Sequence, residues 1–138
     1  MTILQLRQYQ KKDADLDAVA ASGLAAAWTA YTPTVTAASG TFTTVSASGR
    51  YLNIGKLTFV QINVVVTTNG TAAGNVQATL PNTAFNTNYV MTGREILITG
   101  KQLEVVTSTT KVLIFNYDGT YPAGSGYSLM ISGCYENT

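Results

Sequence analysis

The chain has 138 residues, a formal net charge of +1, no histidine, one cysteine and only 11% charged residues. The length suits one ordinary domain with an arm to spare, and the near-neutral balance gives no strong electrostatic case for nucleic acid or an anionic membrane. Without imidazole the commonest metal ligand and general base are missing, and no Ser-His-Asp or Cys-His arrangement can form.

The lone thiol, Cys134, cannot make an internal disulfide and reads as a small buried apolar residue near the C-terminus. No stretch approaches the ~18 apolar residues of a membrane span. The N-terminus lacks the basic region, apolar core and cleavage site of a signal peptide, so synthesis in a cytoplasm without export by that route is expected. Low charge with abundant Thr, Val and Gly is how a β-rich surface is made without many lysines and glutamates. Open strand edges on such a surface invite aggregation, so a partner chain covering them is expected.

Residues 1–28 differ from everything that follows. "MTILQLRQYQKK" mixes Ile3, Leu4, Leu6 and Tyr9 with amides and cations, and reads either as an extended arm or as a first helical turn. The close pair Lys11-Lys12 is answered at once by Asp13, Asp15 and Asp17. "DADLDAVAASGLAAAW" predicts a helix: Asp13 or Asp15 can cap it, and its early acids suit the positive end of the dipole. Leu16, Val19, Ala20, Gly23, Leu24 and Ala27 recur at three- and four-residue steps and form a narrow apolar seam that ends at Trp28. Alanine and glycine let backbones approach closely but bury little area, so copies of the same helix or a groove on another protein would complete it. Trp28 reads as an anchor at the junction rather than a ligand platform.

From residue 29 to 138 the pattern changes to short strands divided by turn signals. "YTPTVTA", "GTFTTVS" and "RYLNIG" precede the long "KLTFVQINVVVTT". "NVQATLP", "NYVM", "EILITG", "QLEVVTS", "KVLIFNYD" and "GYSLMISGCYE" follow. Strands at this spacing without intervening helices predict an all-β domain, an antiparallel β-sandwich or jelly-roll-like barrel. Asn69-Gly70 reads as the turn of a hairpin joining "INVVVTT" to "NVQATLP". In the long strand Val60, Ile62, Val64 and Val66 share one face, whereas Leu57 and Phe59 are apolar in the opposite phase. That change of phase predicts either a bulge near Phe59-Val60 or a first half covered on both sides. The unbroken apolar run Val112 to Phe115 points the same way, and a second subunit is the simplest cover.

The chemistry-bearing residues are few. Glu95 and Glu104 fall on neighbouring predicted strands and are the one carboxylate pair that invites a glycosidase reading, with exposed hairpin charges beside Arg94 and Lys101 as the simpler one. "TTNGTAAG" has the glycines of a phosphate loop but neither its Gly-Lys-Ser/Thr ending nor a following helix. No cofactor is implied. Asn86, Asn88, Tyr89, Tyr117, Asp118 and Tyr121 combine flat rings with amides and a carboxylate, the groups a glycan-binding surface needs. The plainer alternative is packing at strand ends with the hydroxyls in water.

The ordered set Trp28, Thr32-Pro33-Thr34, Gly40-Thr41-Phe42-Thr43, Gly49-Arg50-Tyr51, Ile54-Gly55-Lys56 and Asn69-Gly70-Thr71-Ala72-Ala73-Gly74, leading into Leu80-Pro81, spans about two fifths of the chain. It resembles a module of tailed-bacteriophage structural proteins, similar to the C-terminal β-domains of short tail fibres and to head-fibre or decoration proteins. The resemblance implies a homotrimer on the virion surface, made in the host cytoplasm. Its N-terminal segment would dock on capsid or tail proteins and its β-domain would face outward. Ile3, Leu4, Leu6 and Tyr9 are the expected particle-docking residues, and the Leu16–Trp28 seam the expected oligomerisation face. A long repetitive shaft is missing and the chain starts at a plausible native Met1. A short whole protein of the decoration or head-fibre kind is therefore expected rather than a full tail fibre, with a tail-tip module that reads host glycan as the alternative.

Overall fold

A computed structural model describes residues 1–8, 10 and 27–138. Its first element is a helix, α1, described over residues 3–8 and at residue 10. A reciprocal cap starts it: the Thr2 backbone N–H donates to Gln5 Oε1 (2.9 Å) and the Gln5 N–H donates to Thr2 Oγ1 (3.3 Å). This capping box satisfies N–H groups that a helix start leaves open. Of the two readings of this segment, the helical turn is the one found. Tyr9 and the seam residues Leu16, Val19, Ala20, Gly23 and Leu24, with most of the predicted helix, lie outside the described residues.

The rest is all-β: β1 (Thr29–Tyr31), β2 (Val35–Ser39), β3 (Thr44–Ile54), β4 (Leu57–Thr68), β5 (Ala73–Thr79), β6 (Val90–Glu95), β7 (Gln102–Thr107), β8 (Lys111–Asn116) and β9 (Tyr127–Glu136). These form one nine-stranded sheet in the order β1-β3-β4-β9-β6-β7-β8-β5-β2, and every pairing is antiparallel. The domain is all-β and antiparallel as expected, but in place of the two layers of a sandwich or jelly roll its strands form a single curled sheet, a half-barrel. Laid flat, its outermost strands would stand about 38 Å apart at roughly 4.8 Å per strand. Yet β1 and β2, the two edges, are joined by Thr32-Pro33-Thr34 alone, a link that reaches at most about 14 Å. The sheet has no choice but to curl.

β1 and β2 run in the same direction and act as one divided strand, its first part bonded to β3 and its second to β5. The Tyr31 hydroxyl donates across the seam to the Thr79 carbonyl (3.4 Å), and Thr34 N–H donates to Thr79 Oγ1 (2.9 Å). Both edge strands are short, which limits the exposed ladder.

The concave face holds one core, built mainly from Val60, Ile62, Val64, Val66, Val76, Val105, Val112, Ile114, Leu129, Ile131 and Tyr135. β-Branched side chains suit such a strongly curved, half-buried surface. The long strand β4 carries no bulge at Phe59-Val60. It pairs without interruption from Leu57 to Val66 with both β3 and β9, and the only irregularity beside β3 lies at Thr44/Val45. Its buried row simply continues through Thr58, while Leu57 is exposed and Phe59 half-buried on the convex face. Leu113 and Phe115 likewise lie half-buried on the convex side of β8. On β9 the inward row Leu129, Ile131, Tyr135 turns Cys134 outward, so the thiol is exposed rather than buried.

Asn69-Gly70 is a turn, but not of a hairpin. β4 pairs with β3 and β9, and β5 with β2 and β8, so the segment 69–72 crosses from one half of the sheet to the other. It is tied to the β2–β3 loop by the Thr71 N–H donating to the Thr41 carbonyl (3.0 Å). Gly40 makes this approach possible: its φ is +68° and a Cβ there would collide with the Thr71 carbonyl oxygen.

The sheet thus has two ends. The arm end carries the β3–β4 hairpin, loop 80–89, the β7–β8 turn and the last residues 137–138, and the chain enters β1 running away from this side. The loop end carries segments 40–43, 69–72, 96–101 and 117–126.

Candidate functional site

The loop end is organised around Glu95, the last residue of β6. Along β6, Met91 and Glu95 point to the core while Thr92 and Arg94 point out. Glu95 is wholly buried. Its carboxylate accepts backbone N–H bonds from Leu97 (2.8 Å), Ile98 (3.0 Å), Thr99, Gly100 (3.1 Å) and Ser128 (3.2 Å), and a hydroxyl bond from Thr99 Oγ1 (3.0 Å). Burial pushes this carboxyl up, but the donors from Leu97, Thr99, Ser128 and Ile98 outweigh it and hold it down at about 2. It is therefore a permanent anion at neutral pH, and the loop is folded around it.

The product of that fold is an apolar tip. Ile96, Leu97 and Ile98 are 51%, 63% and 61% exposed, three consecutive aliphatic side chains held out by a loop whose donors all turn inward. Arg94 and Lys101 flank them; Arg94 Nε donates to the Gly100 carbonyl (3.1 Å), and Lys101 stands 3.8 Å from Asp118. Glu104 is exposed on the opposite face of the adjoining strand, β7. The two carboxylates therefore do not face each other, and the glycosidase geometry is absent. The expectation that Glu95 is an exposed hairpin charge is overturned as well, because alternation along β6 puts it inside and the loop supplies its donors. The sequence signal is an acid directly before a short turn with no cation inside it.

The six glycan candidates do not converge. Tyr117, Asp118 and Tyr121 lie at the loop end, and Asn86, Asn88 and Tyr89 at the arm end. The six-residue strand β7 separates the two groups, since Tyr117 N–H donates to the Gln102 carbonyl at one end and Asn88 N–H to the Thr107 carbonyl at the other. That is a separation of about 17 Å. Asn86 accepts from the Thr87 N–H (2.8 Å) and Asn88 holds a positive φ of 69°, so both amides fit the local turn. Tyr89 stands 3.4 Å from Glu136, and desolvation followed by that carboxylate raises its phenol. At the loop end the Tyr121 hydroxyl donates to Asn69 Oδ1 (2.7 Å), closing the 69–72 crossing. Hydrogen bonds from the Thr120 hydroxyl and N–H hold the Asp118 carboxyl down. Tyr117, 66% exposed, is the ring of this group that stands free of the core.

The arm end is closed by neutral groups. Tyr135 OH donates to the Asn82 carbonyl (2.9 Å) and accepts from the Asn82 N–H (3.2 Å). Thr58 Oγ1 donates to Asn53 Oδ1 (2.8 Å), and Asn137 Nδ2 donates to Thr58 Oγ1 (2.8 Å). Outside this network lies a polar groove of about 460 Å3 lined by Asn53, Gly55, Pro81, Asn82, Thr83, Asn137 and Thr138. Among the described residues no buried side-chain polar atom lacks a partner.

Of the expected docking residues, Ile3, Leu4 and Leu6 are all exposed on α1. The described end of the expected seam, Ala27 and Trp28, is exposed too. The Arg50 guanidinium sits 4.8 Å from the Trp28 ring centroid, a cation–π contact that fixes the indole where the chain enters β1. Among the described residues no group of three or more His, Cys, Asp or Glu side chains gathers as a metal site, and no helix is long and apolar enough to cross a membrane.

Comparison with protein-family models, with curated proteins and with solved structures gives no match.

Proposed function

We propose that this chain is a structural protein of a tailed-phage particle, of the head-decoration or head-fibre kind. Its N-terminal segment docks on the particle and its β-domain is displayed outward as a homotrimer. The observation that carries the reading is the division of apolar surface. Ile3, Leu4 and Leu6 stand exposed on α1, whereas the β-domain closes its own core. An exposed apolar leading segment joined to a domain with a core of its own is the layout of a docked and displayed protein. The resemblance of Trp28 to Pro81 to phage structural modules supports the same reading. Display requires no turnover, and the Glu95 and Asp118 carboxylates serve loop geometry instead.

The test is incorporation. Protein lacking residues 1–12 should keep the β-domain's thermal transition yet fail to assemble onto particles; wild-type occupancy by the truncated protein would sink the arm assignment. Light scattering on the full chain should give three copies, and a stable monomer would remove the trimer.

The second reading is a tail-tip module that reads host glycan. Exposed Tyr117 beside the Asp118–Thr120 and Lys101 groups favours it, at the end of the domain away from the arm. Saturable binding on a glycan array that is lost in Tyr117→Ala would support it. Asn86, Asn88 and Tyr89 should have no effect there.

A further inference from the structure

The Glu95-centred loop does more than close one end of the core. We infer that the tip Ile96–Ile98 inserts into the interfacial layer of a lipid bilayer, with Arg94 and Lys101 placed at the headgroup phosphates. This does not rest on the virion reading and would hold whatever the arm docks to.

Three observations select lipid over other occupants. First, the backbone donors of the tip are already used. Ile96 N–H donates to the Ser128 carbonyl (2.9 Å), the next four N–H groups bind Glu95, and Lys101 N–H donates to Thr99 Oγ1 (3.3 Å). The N–H groups of this turn therefore need no water, which lowers the cost of seating it in the water-poor interfacial layer. Second, the tip is too small for a stable contact between copies, which takes about 20–30 residues a side. Three side chains on a projecting turn are an anchor, not an interface. Third, the flanking charges fit: Arg94 and Lys101 lie beside the aliphatic side chains, Glu95 directly behind them is fully buried, and Asp118, 3.8 Å from Lys101, offsets only the second of the two cations. Aliphatic residues at the centre with cations at the rim is the arrangement of an interfacial anchor.

The net charge of +1 supplies no long-range attraction, so apolar insertion carries the affinity. Single copies bind weakly, and several copies on one scaffold multiply the effect.

The test uses the full chain and vesicles of phosphatidylcholine with about one third phosphatidylglycerol. The Leu97→Trp variant should show a blue-shifted emission on titration with lipid, quenched by brominated acyl chains. The native Trp28, at the far end of β3, should not respond. In vesicle flotation, Leu97→Asp should reduce partitioning about tenfold or more while the melting transition stays put. Protein lacking residues 1–12 should still float, which separates the tip from the exposed side chains of α1. The proposal is overturned if the emission of the Leu97→Trp variant is unchanged at millimolar lipid. Equal flotation of wild type and Leu97→Asp, or loss of binding on removing residues 1–12, overturns it as well.

Discussion

The two ends of the curled sheet close the same core by opposite means. At the arm end, Asn53, Thr58, Asn82, Tyr135 and Asn137 share neutral hydrogen bonds among several strands and loops, so each makes a modest contribution. At the loop end one charge, Glu95, takes donors from five backbone N–H groups, four of them in the turn that follows it. Distributed amides tolerate the loss of a member, whereas a single anion is a point on which a whole loop depends. The difference also sets what each end presents: a polar groove on one side and an aliphatic tip on the other.

The sharpest way to break the comparison is to remove the anion. Glu95→Ala strands several buried donors, and a loss of about 3–5 kcal/mol in urea unfolding is expected. Chemical-shift changes should concentrate at residues 96–101 and 128, and a loss under about 1 kcal/mol would show that the loop holds itself. Next comes Gly40→Ala, which forces a left-handed backbone and a backbone clash with Thr71 at the same end. About 2–4 kcal/mol is expected from the same measurement.

Acid should separate the ends without mutation. The Glu95 carboxyl titrates at about 2 in the folded chain, below its ordinary 4.5. Its contribution is therefore complete above pH 4.5 and is lost as pH falls toward 2. Calorimetry from about pH 7 down to about 2.5 should show a falling melting temperature that flattens in Glu95→Gln, while amide exchange near Asn82 and Asn137 follows only the global transition. The smallest effect is expected from Tyr135→Phe, which removes one hydroxyl from a shared network and should cost about 1–2 kcal/mol independent of pH.

Much of the β-domain is readable from local pattern. Alternation places Val60, Ile62, Val64, Val66, Leu129 and Ile131 inside, as found. Pairing partners are not readable, because they join residues far apart in sequence. The Asn69-Gly70 turn has the composition of a hairpin, yet its two strands lie in different halves of the sheet. The apolar phase change at Leu57 and Phe59 suggests a bulge; in fact Thr58 holds the inward position through hydrogen bonds to Asn53, Asn82 and Asn137. The Thr2–Gln5 cap is present in "MTILQ" as a four-residue signature. The candidate site is less legible. Aromatic and amide residues of one chemical kind prove to sit at opposite ends, and the Glu95 cage depends on Ser128, 33 positions away.

The divided strand bears on how the domain withstands traction. A pull on residue 28 directed along β1 draws β1 lengthwise against β3 and then β2 lengthwise against β5. Lengthwise sliding loads all the bonds of a ladder together, whereas peeling would open them one by one. A domain loaded in this direction resists extraction of its first strand, and the first rungs to yield would be the three that hold Thr29, Ala30 and Tyr31.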